Sequence, residues 1–76
     1  MALYRITNYK TGATNIVSVV KMDLRLVVEA AKKFDPSIHH GKFRVPDERS
    51  VIEYSLLDKA GELVAVATFL PPLSRR

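Results

Sequence analysis

The sequence predicts an α+β domain: a single antiparallel β-sheet of about five strands, in the order β-β-α-β-β-β, with one α-helix packed on one face. Three observations carry that expectation. Two β-rich runs, 51–57 and 63–70, flank the turn Asp58-Lys59-Ala60-Gly61. One apolar stripe at helical spacing runs between Asp23 and Phe34. Ahead of it, two β-prone runs are separated by a glycine-bearing turn.

In chain order, residues 2–9 read as a strand with Ala2, Tyr4 and Ile6 on one face. Lys10-Thr11-Gly12-Ala13 is a turn. Residues 14–21 are rich in β-branched side chains, which suit a pleated surface, and complete a first hairpin. Asp23 is suited to an N-cap, because its carboxylate accepts the free N–H groups of the next turn. Leu24, Val27, Val28, Ala31 and Phe34 then form the apolar stripe, with Arg25, Glu29, Lys32 and Lys33 on the other side. Glu29 reaches Arg25 or Lys33 at i±4. Pro36 disfavours helical geometry at Asp35, so the helix has about three turns. Residues 36–41 are a loop. Residues 42–45 are a short strand with Phe43 and Val45 inward and Lys42 and Arg44 outward, ended by Pro46. A polar connection, 47–50, leads into the last hairpin, and Pro71-Pro72 closes it.

The last hairpin carries the sequence's strongest functional hint. Asp58 suits the first position of a type I turn, and Gly61 takes φ > 0 without a Cβ clash, which gives a three-residue loop with a G1 bulge. That loop pairs Leu57 with Leu63, Ser55 with Ala65, Glu53 with Ala67 and Val51 with Phe69. Behind them Leu56 meets Val64, Tyr54 meets Val66 and Ile52 meets Thr68. Neither face is polar, whereas a half-exposed antiparallel sheet alternates. One helix about 10 Å wide covers only one of them. The face rimmed by Val51, Leu57, Leu63 and Phe69 is therefore expected to be a contact surface for a second copy or another protein.

Length and composition bound the rest. The 76 residues form one domain, 1–76, with 73–76 a flexible tail. Twelve Lys and Arg stand against eight Asp and Glu, a net charge of +4 that favours acidic partners: nucleic acid or an acidic protein surface. Absence of cysteine removes disulfides and thiolate chemistry and fits a reducing compartment. No apolar run approaches the ~20 residues that span a bilayer, and no secretory leader is evident. A bacterial cytoplasmic protein without membrane contact is expected.

Little in the sequence supports catalysis. The serines lack a base at motif spacing, and the three glycines are scattered, so no phosphate-cradling loop is formed. His39-His40 lacks a third ligand at metal spacing. No enzyme activity, cofactor or metal is expected. A basic cluster is more informative: Lys32, Lys33, His39, His40, Lys42 and Arg44 fall within thirteen residues, opposed only by Asp35. Brought together, they would make a positive patch for phosphate or carboxylate groups.

In layout, the helix 23–34, the glycine-ended loop Ile38-His39-His40-Gly41 and the turn 58–61 together resemble very small phage-encoded proteins, type I anti-CRISPR inhibitors among them. The resemblance spans the chain and has no motif from which a functional residue carries over. It implies a non-catalytic, stoichiometric inhibitor that binds a nucleic-acid-handling complex of a bacterial host. Direct nucleic-acid binding and a small assembly subunit are the alternatives.

Overall fold

A computed structural model describes residues 2–44 and 52–70. The elements follow the predicted order: β1 (Ala2–Asn8), β2 (Thr14–Val19), α1 (Leu24–Lys32), β3 (His40–Arg44), β4 (Glu53–Leu57) and β5 (Leu63–Leu70). The strands form one five-stranded antiparallel sheet in the spatial order β2-β1-β5-β4-β3. The chain leaves the sheet at β2, crosses as α1, and re-enters at the opposite edge as β3. The helix backbone comes closest to these two edge strands, so the sheet cups the helix and turns a convex face outward.

Local chemistry fixes each junction. Asp23 caps α1, its Oδ1 accepting the Arg25 N–H at 2.9 Å. Asp23→Ala is expected to cost about 1 kcal/mol and to lower Tm by roughly 4–8 °C; a melt within a degree of the parent would remove the cap's role. Asn8 Oδ1 accepts the Lys10 and Thr11 N–H groups and holds the first turn, where Gly12 has φ 78°. The Asn8 amide also donates to Asp35 Oδ2 at 3.2 Å, tying that turn to the helix exit. In the second turn Asp58 Oδ1 accepts the Glu62 N–H and Gly61 has φ 87°, as its sequence predicts.

The concave face is the core. Ala2, Tyr4, Ile6, Val17, Val19, Tyr54, Leu56, Ala65 and Ala67 of the sheet meet Val27, Val28 and Ala31 of α1. Tyr4 and Tyr54 lie on strands two spacings apart, roughly 10 Å. Their rings nonetheless stack, with centroids 5.6 Å apart; on β5 between them, Tyr54 pairs with the small Ala67 and Tyr4 with Phe69.

This arrangement overturns the predicted register of the last hairpin. Leu57 pairs with Leu63 as expected, but Leu56 then pairs with Ala65, Ser55 with Val66, Tyr54 with Ala67 and Glu53 with Thr68. Val64 is the extra residue of a β-bulge, and its carbonyl accepts the Tyr9 N–H at 2.8 Å. One inserted residue moves the rest of β5 to the opposite face relative to β4. The small residues therefore lie with Tyr54 and Leu56 beneath the helix, and Val66 turns outward.

The predicted contact face changes accordingly. Phe69 lies on the concave side, edge-on to Tyr4 at 5.5 Å, and Leu57 is buried. Leu63 is half-buried, and Val51 is outside the described residues. The three described residues, Leu57, Leu63 and Phe69, do not make one surface. The convex face instead carries Leu3, Ile16, Val66 and Leu70 among Arg5, Thr7, Thr14, Lys42, Glu53, Ser55 and Thr68. It is mixed rather than continuously apolar, yet Leu3 and Ile16 remain 44% and 60% exposed.

Three smaller differences concern α1 and its exit. The helix ends at Lys32, earlier than Pro36 alone requires, and Phe34 at the end of the stripe is exposed. Ile38, assigned to a loop, fills the core in its place and is 2% exposed. Glu29 pairs with Lys32 at 3.8 Å instead of Arg25 or Lys33. The tail 73–76 and Val45 lie outside the described residues.

Candidate interaction surface

The candidate site is built on β3. Among the described residues it is an edge strand, paired only with β4. Alternation directs His40, Lys42 and Arg44 to one side and Gly41 and Phe43 to the other. Gly41 lets α1 lie against the strand: a Cβ there would sit 2.8 Å from Leu24 Cδ1, 3.0 Å from Val28 Cγ2 and 3.3 Å from Leu56 Cδ2. Leu24 is half-buried and can swing aside for one methyl group, but not for a branched side chain. Gly41→Val is expected to cost about 2–3 kcal/mol by overpacking, with Gly41→Ala distinctly milder. Equal urea midpoints for both variants and the parent would refute that contact.

Past Gly41 the helix no longer shelters the strand. Phe43, predicted to face inward, is on the helix side but 64% exposed, touching Tyr54 at a ring separation of 5.9 Å. Lys42 lies opposite Ser55 and has no ion pair among the described residues. Arg44 Nε is 3.7 Å from Glu53 Oε1, and Glu53 Oε2 accepts the Thr68 hydroxyl at 3.3 Å.

Between α1 and β3 runs a cleft of about 230 Å³. Arg25, Glu29, Lys32, His39 and His40 surround it, with Gly41 at its floor. The Glu29–Lys32 pair neutralises part of its charge, while Arg25 has no ion pair among the described residues. His39 Nδ1 and His40 Nδ1 are 3.3 Å apart, within hydrogen-bonding distance, and the two rings meet edge to face. Among the described residues no group of three or more His, Cys, Asp or Glu is placed to hold a metal ion.

The structure thus divides the predicted basic cluster. Lys32, His39 and His40 share the cleft, and Lys42 and Arg44 continue from it onto the convex face along β3. Lys33 belongs elsewhere, in a groove with Val20, Leu26 and Ala30 on the β2 side. Two cations escaped the sequence reading. Arg25 shares the cleft with Lys32, a relation that their i,i+7 spacing on one helix could have disclosed. Arg5 stands on the convex face between Ile16 and Thr68, where strand alternation with Tyr4 and Ile6 puts it.

One perturbed group is unrelated to this surface. The Tyr4 hydroxyl is buried without a partner in hydrogen-bonding geometry. Burial first, and the adjacent Tyr54 hydroxyl second, raise its pKa above the ordinary tyrosine range. It lies in the core under α1 and is a matter of stability.

No helix among the described residues is long and apolar enough to cross a membrane. Comparison with protein-family models, curated proteins and solved structures found no match to this chain.

Proposed function

We propose that the chain is a small, non-catalytic interaction protein that inhibits a nucleic-acid-handling protein complex of a bacterial host by docking on an acidic part of it. The observation that carries this reading is the edge strand β3, which exposes Phe43 on its helix side and Lys42 and Arg44 on the other, and whose first residues, His40 and Gly41, border the Arg25–Lys32 cleft. Aromatic and arginine side chains are the enriched anchors of protein interfaces. Cations beside them select an acidic partner and speed the encounter. The net charge of +4 acts in the same sense.

The same grouping supports a second reading, direct binding of nucleic acid, with Phe43 stacking on a base and the cations on phosphates. The two part in a direct test. Purified type I CRISPR interference complex and short single- and double-stranded DNA are each titrated with the protein. Stoichiometric binding to the complex, with no retardation of free DNA at low salt, supports the inhibitor. Retardation of DNA that weakens steeply with salt supports the alternative. Binding to neither overturns both.

A further inference from the structure

The two edges of the sheet are not alike. β3 bears Lys42 and Arg44, the kind of charge that protects an exposed edge from pairing with another strand. β2, Thr14-Asn15-Ile16-Val17-Ser18-Val19, has no charge and no proline, and its pairing with β1 runs without a register shift from Thr14 to Val19. Natural edges are usually blunted by those devices, and this one is not. Exposed apolar residues stand at this edge, Ile16 on the convex face and Val20, 69% exposed, just past the strand, with Leu3 beside them on β1.

Backbone bonding gives the edge a direction. The Asn8 N–H donates to the Ala13 carbonyl, which marks that pair as hydrogen-bonded. Alternation then bonds Asn15, Val17 and Val19 to β1 and turns the N–H and C=O of Thr14 and Ile16 outward.

We infer that β2 is a homodimer edge, at which two copies pair antiparallel about a two-fold axis at Ile16 and join their sheets into one. In this register Ile16 faces Ile16 across the axis, so two β-branched side chains meet. A second copy fits because the paired segments contain no ionisable side chain. Self-pairing of β3 would instead set the cations of two copies near one another. The nearest charge on the convex face, Arg5 beside Ile16, ends up three strand spacings from its copy, about 14 Å, beyond the Debye length at physiological salt. Lys10 and Lys21 flank the pair at its ends, and each copy carries a charge of +4. Added salt therefore tightens the dimer, the opposite of its effect on an acidic partner at β3. The inference is independent of the function proposed for β3.

Sedimentation of the full chain over a wide concentration range, with hydrogen exchange at the Ile16 amide, tests it. A reversible dimer is expected, with the Ile16 amide protected in proportion to dimer. Ile16→Lys and, separately, Thr14→Lys are expected to weaken association on the order of tenfold or more, with unchanged far-UV circular dichroism. A monomer at every concentration, or a dimer indifferent to both β2 substitutions, overturns the inference.

Discussion

Tyr4→Ala is expected to cost about 3–5 kcal/mol, the range for emptying a buried aromatic site. A chain of this size holds roughly 4–11 kcal/mol in total, so most of its stability would be lost. Tyr4 is fully buried at the centre of the concave face, stacked on Tyr54 and edge-on to Phe69. Removing its ring unsupports three strands at once, because β1, β4 and β5 each lend an aromatic residue to the cluster. Urea titration followed by circular dichroism reads the loss, and a change below about 1 kcal/mol would refute the central place given to this ring. The hydroxyl behaves differently from the ring. It is buried and unpartnered, so Tyr4→Phe is expected to stabilise the fold by about 1 kcal/mol.

The same hydroxyl makes stability depend on alkaline pH. Its folded pKa is raised by burial, while in the unfolded chain it ionises near pH 10. Above that pH the unfolded chain releases a proton that the folded chain retains, and stability falls as pH climbs through the folded value. Below pH 10 the contribution is complete. The parent's urea midpoint should drop from about pH 10 upward, and Tyr4→Phe should drop less. Parallel pH profiles for the two proteins would discount the effect.

How far the sequence could be read follows from the range of each interaction. Caps, turns and stripes are local, so Asp23, the Asp58–Gly61 turn and the element order are visible in the residues themselves. The bulge at Val64 is not. A three-residue loop fixes the first pair, Leu57 with Leu63, and nothing nearby signals that the ladder slips one step later. What the slip achieves is distant in sequence: it turns Ala65 and Ala67 to the concave face, where the helix and Tyr4 pack. Ile38 is similar, since its burial depends on where the loop after α1 lands on the sheet. The basic cluster was legible as composition but not as a surface. A helix turns by 100° per residue, so Lys32 and Lys33 face different grooves, and strand alternation sends Lys42 and Arg44 away from Phe43. Arg25, seven residues before Lys32, joins it in the cleft.

At β3, the double substitution Lys42→Glu/Phe43→Ala is expected to abolish binding to an acidic partner while the fold survives. Phe43 is the exposed aromatic of this edge, and truncating an interface anchor of that kind costs about 2 kcal/mol or more, a loss of ~30-fold. Lys42 adds charge reversal at a site where no ion pair among the described residues must first be broken. Arg44→Glu is the poorer probe: it sets two carboxylates together, since Arg44 already faces Glu53, and mixes instability with lost recognition. Both chosen side chains are exposed, so the fold should lose less than about 1 kcal/mol. Salt separates the partners. A nucleic acid that contacts Z phosphates loses affinity with a log–log slope of about −0.9Z, and Lys42→Glu removes roughly one unit of that slope. For a protein partner held by the Phe43 ring, the Phe43→Ala deficit persists at high salt while the Lys42 deficit shrinks. A double variant that binds as tightly as the parent would move the contact surface away from β3 altogether.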